Sequence, residues 1–366
     1  MEPGKISERQ LAFLMTTVLL TTVIFFMPQL GAHAVEQDAW ITALIATVWG
    51  IFAALLIVAL ARRFPGLTMI EYLPLILGRP LGIILGLLYA FWFLSVGAFI
   101  TREFGMFLNI TIMNNTPVAV FMFTALILAF YAVRSGLEVW VRVNELLLPL
   151  LILSLIAIIV LPVTFMDFRR LLPIGEHSIG ALIATSIPSA SWRGEIILAG
   201  MFIPALTGFR HTTRNINIPV ILTGFVLAAV EVATVAAFGG ISTGQLEFPL
   251  FNLARLISLA KIFDRLEVLI VGIWVVGTFF KLCAFLYCST VATAQVMGFK
   301  EFQFLLLPMS VLMLALADNF FKNVSEITDF LANVWPGYAL LSFELIIPLA
   351  LFLIAIFRPG GKSGAA

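Results

Sequence analysis

Apolar runs of about twenty residues recur along the whole chain, separated by short polar stretches that hold most of its charge. An α-helix needs about 20 residues to cross a hydrocarbon layer ~30 Å thick. Ten such runs are read at about 10–32, 39–61, 81–107, 117–133, 140–162, 180–206, 216–239, 266–296, 303–317 and 337–357. Lipid offers no water to backbone N–H and C=O groups, so each run is expected to be a helix that satisfies them internally. Composition agrees: 61% of the 366 residues are hydrophobic, 11% are charged, and mean hydropathy is +1.10. Soluble chains run at roughly 45–50% apolar and about 25% charged. The expected fold class is therefore all-α, a polytopic membrane protein with ten spans in the lipid bilayer.

Several function classes fall away at once. A net charge of +1 supplies no basic field for nucleic acid. Cys283 and Cys288 lie inside one apolar run, and His33, His177 and His211 lie far apart, so neither a disulfide framework nor a metal site is read. Phosphate-binding, zinc-protease, nucleophile-elbow and dinucleotide motifs are missing, which argues against an enzyme and against a cofactor. Ala32-His33-Ala34 looks like a signal-peptidase site. The run before it, at about 22 residues, exceeds the 7–15 of a signal peptide's apolar core, so it is read as a retained span.

Lys and Arg set the expected orientation. With the N-terminus inside, the inner segments hold Lys5, Arg9, Arg62, Arg63, Arg79, Arg134, Arg142, Arg210, Arg214, Lys300, Arg358 and Lys362, against Arg169, Arg170, Arg255, Lys261, Arg265 and Lys322 outside. Both termini are thus expected on the cytoplasmic side. The longest loop, 240–265, contains Phe248–Ala260, read as a short amphipathic helix lying at the membrane interface.

Ten spans divide into two sets of five, 1–175 and 176–366. Because five is odd, the second set enters the membrane from the opposite side, the topology of an inverted repeat. The first helix of each set is expected to be broken. Span one carries Thr16-Thr17 and Thr21-Thr22 before Pro28 and Gly31, and span six reads Ser186-Ile187-Pro188-Ser189-Ala190-Ser191-Trp192-Arg193-Gly194-Glu195. Broken helices in corresponding positions point to a binding site, although Pro, Ser and Thr also kink packed membrane helices without one.

Ionisable groups at membrane depth are costly, by at least ~2.5–3.5 kcal/mol on insertion scales. Glu195 and Lys281 fall near the middles of spans six and eight. Two readings are open for them: a structural ion pair locking two helices, or the two ends of a site for a zwitterion, with opened backbone at the break adding N–H and C=O groups. The candidate ligand-binding residues are Thr21, Thr22, Ser189, Ser191, Gly194, Glu195 and Lys281. Glu231 in span seven is either functional or faces a wet cavity. Arg102-Glu103 is read as snorkelling from the end of span three. Glu138, Arg142 and Glu145 are read as a charge network on one helix face at the inner mouth. Glu344 stands alone in the last span.

Several phrases carry a family resemblance. They are Ile6-Ser7 with Gln10, Gln37-Asp38-Ala39-Trp40, Arg63-Phe64-Pro65-Gly66 with Thr68, Glu71-Tyr72, Leu77-Gly78, Thr116-Pro117, and Gly136-Leu137-Glu138 with Arg142 and Glu145. Leu172-Pro173, Gly194-Glu195, Phe248-Pro249, Arg265-Leu266-Glu267, Trp274 and Lys281 follow. In this order the chain resembles, over its whole length, the spore germination nutrient-receptor B subunits, a permease-like family of the amino acid–polyamine–cation superfamily. The resemblance implies an inverted-repeat transporter fold in the inner membrane of the bacterial spore. It also implies a receptor for a small nutrient such as an amino acid, working with separate A and C subunits. The pocket would lie at broken spans one and six, walled by spans three and eight. One departure stands out: Thr21-Thr22 occupies the position expected to hold a glycine, so two hydroxyls narrow that pocket or add hydrogen bonds.

A proton-coupled amino acid transporter uses the same fold and pocket and is the alternative, with Glu195, Glu231 and Lys281 as proton relays. A conduit for ions or water is a third class, without a ring of acidic residues or a filter-like run to support it.

Overall fold

The computed structural model describes residues 4–259 and 267–357, and these are almost wholly helical. Ala260, Lys261, Arg265, Arg358 and Lys362 lie outside the described residues. The apolar runs form α1 (Glu8–Val35), α2 (Ala39–Arg63), α3 (Arg79–Thr111), α4 (Val118–Arg134), α5 (Leu137–Val160), α6 (Ile179–Gly194), α7 (Thr212–Phe238), α8 (Glu267–Met297), α9 (Leu306–Asn319) and α10 (Pro336–Ile356). Among the described residues, six helical runs are long and apolar enough to cross a membrane. A seventh is added if Gln303–Asn319 and Val324–Asn333, bent by 102°, form one span.

One of those runs, Glu8–Arg63, is 56 residues long, far more than the ~20 that one crossing needs. It contains both α1 and α2 and folds back at Glu36–Asp38, where Glu36 takes φ 43°. The hydroxyl of Thr212 donates to Glu8 at 2.6 Å, and Arg62 donates to Thr213 at 2.7 Å. The two far ends of the hairpin therefore meet the start of α7 on the same face of the bundle. Arg63 donates to the carbonyl of Ile356 at 3.2 Å, which puts the end of α10 on that face too.

The opening of α1 follows from sequence. Ser7 accepts the N–H of Gln10 at 3.1 Å while the Gln10 side chain accepts the N–H of Ser7 at 2.8 Å, a reciprocal cap. From Leu14 to Pro28 every side chain of α1 is buried, as expected of a helix that is apolar all round. α1 packs along α7, α8, α5 and α6, and α2 packs on α6 and α7. Gly224 of α7 lies against Thr47 of α2, and Gly277 of α8 against Thr21 of α1. Glycines at these crossings let the backbones approach closely, as in many membrane helix pairs.

The expected interruption of span one is not present: α1 is continuous from Glu8 to Val35. Thr16, Thr17 and Thr21 donate to the carbonyls of Ala12, Phe13 and Thr17, one turn back, at 2.9, 3.2 and 2.6 Å. These hydroxyls bond back to carbonyls of an intact helix and none of them marks an opening, Thr17 also donating to Oδ1 of Asn144 at 2.7 Å, and Pro28 is accommodated within it. Span six does break, as described below.

The helix in the long loop, Pro249–Leu259, is amphipathic as expected, and its apolar face packs on the bundle. Leu250, Phe251, Leu253 and Ala254 are buried, and Phe248 meets the rings of Phe26 and Phe107 at 5.8 and 5.1 Å. Its apolar face is covered by α1 and α3 rather than by lipid.

The connection between α5 and α6 is anchored by the turn of the α1–α2 hairpin. Asp38, fully buried, accepts the N–H of Gly175 at 2.8 Å and of His177 at 3.2 Å, and its Oδ2 lies 3.0 Å from Nδ1 of His177. Gln37 donates to the carbonyl of Pro173 at 3.1 Å and to Glu176 at 2.8 Å. Asp38→Ala removes the acceptor from two backbone N–H groups at the edge of the bundle, those of Gly175 and His177. The expected loss is about 1–2 kcal/mol, read as a lower thermal midpoint of the purified protein in detergent. An unchanged midpoint would show that the connection is held by something else.

Candidate functional site

The break in α6 is written in its residues. Pro188 is accommodated inside the α-helix, and Gly194, the last α-helical residue, contributes no side chain to hold the next turn. At Glu195 the α-helix tightens into a 3₁₀ turn, Glu195–Leu198, followed by short helical turns to Ala205. Part of the freed backbone is taken up by a neighbouring loop, where the N–H of Met69 donates to the carbonyl of Gly200 at 3.0 Å.

Three helices converge on this break. Nζ of Lys281 on α8 lies 2.7 Å from Oε2 of Glu195, and each side chain is 1% exposed. The same ammonium donates to Oγ1 of Thr22 on α1 at 2.8 Å, and Nε1 of Trp192 donates to that oxygen at 2.8 Å. Removing two charges from water costs several kcal/mol each, and close geometry with extra hydrogen bonds offsets that cost. Thr22 and Trp192 complete the pair in this way.

Not every expected site residue joins them. Glu195, Lys281 and Thr22 come together, with Gly194 directly alongside. The Thr21 hydroxyl is spent within α1. Ser191 donates back to the carbonyl of Ile187 at 3.2 Å. Ser189 accepts from Nη1 of Arg193 at 2.7 Å, and the same nitrogen donates to the Ser189 carbonyl at 2.9 Å. Ser189 thus belongs to a second charged group on the opposite side of α6. There the fully buried Arg193 lies within electrostatic range of Glu231, which sits beside Gly31 of α1.

Two further carboxylates reach the first group. Glu103 does not snorkel: it is 1% exposed and within electrostatic range of Lys281 and Glu195. Its neighbour Arg102 turns the other way and donates to the carbonyl of Phe321 at 2.9 and 2.7 Å. Successive helical residues point about 100° apart, so Arg102 meets the segment after α9 while Glu103 enters the site. Glu344 of α10, also 1% exposed, rests its carboxylate on Gly194, where a Cβ would overlap it. Sequence reasoning left Glu344 unassigned because nothing in the chain order says that α10 backs onto the break.

At the start of α5, Arg142 pairs with Glu138, but Glu145 turns away to α1. It accepts from Gln10 at 2.9 Å and lies 3.6 Å from Arg9. Among the described residues, no three His, Cys, Asp or Glu side chains converge to hold a metal ion.

The fold is similar to that of solved transporters. The crystal structure of MhsT in complex with L-phenylalanine covers 94% of this chain and 98% of its own, with a TM-score of 0.64 at 14% identity. Mhp1, a nucleobase–cation symporter in a closed conformation with bromovinylhydantoin bound, covers 90% of this chain and 75% of its own, with a TM-score of 0.61 at 11% identity. At these identities the likeness is one of fold. Sequence relatives narrow it. Spore germination protein KB of Bacillus subtilis is 28% identical over 362 residues, 98% of this chain and 96% of that protein. Spore germination protein YndE of the same organism is 23% identical over 98% of both chains. The model of the spore permease family, described as spore germination protein, matches residues 5–323. This chain is a member of that family, helical membrane proteins of the germination receptor and permease kind and not enzymes.

Proposed function

We propose that the chain is the membrane subunit of a spore germinant receptor. It binds a small nutrient of the amino acid class at the α6 break and signals through separate A and C subunits. In this reading the protein sits in the inner membrane of the spore with both termini on the core side, as the Lys and Arg distribution favours. Residues 1–175 and 176–366 are its two inverted five-helix halves.

One observation carries the reading: the buried Glu195–Lys281 pair, joined to Thr22, lies where α6 gives up its helical backbone. An amino acid zwitterion carries the same two charges as this pair. Its carboxylate replaces that of Glu195 at Lys281, and its ammonium replaces Lys281 at Glu195, so no charge is left alone. Binding of this kind exchanges one ion pair for two and uncouples α6 from α8. A ligand shifts the balance between two helix arrangements only by its differential affinity for them. The exchange supplies that difference.

Glu195→Ala is expected to abolish the germination response of spores in which the assembled receptor is still present. A normal response in that variant sinks the proposed pocket. Removing one partner of a buried pair costs about 3–5 kcal/mol, whereas an apolar replacement of both is near neutral. The double variant Glu195→Leu with Lys281→Met is therefore expected to keep a wild-type thermal midpoint and lose the nutrient response. Retention of the response would make the pair a structural lock and nothing more.

A second reading, a proton-coupled amino acid transporter, draws support from the buried acidic side chains, Glu103, Glu195, Glu231 and Glu344, which outnumber the buried cations Arg193 and Lys281. Proteoliposomes holding this chain alone separate the two. The receptor reading expects no saturable, gradient-driven uptake of labelled amino acid, and observed uptake would favour the transporter.

A further inference from the structure

Among the described residues, Glu344 and Glu103 both reach the site with neither carboxylate oxygen hydrogen-bonded, and of the two it is Glu344 that lies directly against the break, on Gly194. Neither of its carboxylate oxygens has a hydrogen-bond partner among the described residues, although the side chain is 1% exposed. A buried carboxylate with no donor costs several kcal/mol, and native structures rarely leave one unless a ligand, ion or water belongs there. The nearest cation is already in use: Lys281 faces Glu195 and donates to Thr22.

The surroundings of Glu344 are specific. Its carboxylate rests on the backbone of Gly194, immediately before the 3₁₀ turn that begins at Glu195. The groups within electrostatic range of it are Glu195 from α6, Lys281 from α8 and the Tyr89 hydroxyl from α3, which itself donates to the carbonyl of Phe343 at 2.9 Å. Residues Pro336–Ile346, which include Glu344, form a π-helix. Wide turns of this kind are rare and appear frequently at functional sites. Three acids, Glu103, Glu195 and Glu344, thus lie within reach of one ammonium, that of Lys281, and the position lacks a positive charge.

We propose that Glu344 is a second recognition residue and that it holds, together with Glu195, the ammonium group of an amine-bearing ligand against Gly194. This rests on the α6 break being the ligand site. A primary ammonium fits because it brings the missing donors and the missing charge in one small group. An N-acylated or carboxylate-only ligand brings neither, so the site discriminates on the amine. Gly194 is required because any side chain there occupies the space in which Glu344 and the ammonium meet.

The test uses the full-length chain in detergent, with thermal midpoints and binding isotherms. The probes are the twenty amino acids, their N-acetyl forms and the matching decarboxylated amines. Wild type is expected to be stabilised by at least one amino acid and not by its N-acetyl form. In Glu344→Gln the Kd for that amino acid is expected to rise roughly tenfold or more, the loss of one charge-assisted hydrogen bond. The ligand-free midpoint is expected to stay at or above that of wild type, because the amide removes an uncompensated carboxylate. Glu344→Met repeats the measurement with a side chain of similar length and no polar end, should the amide variant fail to fold. Binding within about threefold of wild type in either variant overturns the role of Glu344 while leaving the site itself standing. A wild-type chain that no amino acid or amine stabilises overturns the site reading, and this inference with it.

Discussion

An ammonium group held in the interior of a membrane protein needs its countercharge within reach, and the rest of this structure is arranged around meeting that need for Lys281. The partner, Glu195, comes from a different helix, and the hydroxyl that completes the coordination comes from a third. No local segment is able to provide all three. The helices must therefore be brought to one point, and α6 must open there to offer its side of the pair. Glycines at the crossings permit the approach. Gly277 admits Thr21 and with it the neighbouring Thr22, and Gly194 admits Glu344.

α1 is the common neighbour in this arrangement. It is buried over most of its length and stays helical throughout, while α6, against which it packs, breaks. The anchoring of the α5–α6 connection to Gln37 and Asp38 ties the entrance of that interrupted helix back to the α1–α2 hairpin.

Much of the fold was legible in the chain. The polar stretch from Ser186 to Glu195 announced an interruption in α6, and the structure places it at the end of that stretch, because such a run weakens helical backbone locally. Glu195 and Lys281 stood out for a simple reason, since charge in the middle of an apolar run is expensive. Side chains with ordinary helical roles were less readable. Ser189, Ser191 and Thr21 occupy the right stretches, yet their hydroxyls serve Arg193 or the helix backbone. The threonines of α1 look the same in sequence whether they open a helix or close it. What decides is whether a neighbour competes for the hydroxyl, as Lys281 and Trp192 do for Thr22 and Asn144 does for Thr17.

Sequence by itself determined that this chain is a helical membrane protein, where its helices run, and that two charges in separate spans had to be accounted for. All of these follow from hydrophobic length and the cost of burying charge, which are properties of a segment. Tertiary structure decided which charges meet. Glu103 turned to Lys281 although Arg102 beside it turned to the Phe321 carbonyl, Glu145 left Arg142 for α1, and Glu344 came to rest on Gly194 from the far end of the chain. Those outcomes depend on which helix faces which, and the pattern within one helix carries no record of its neighbour.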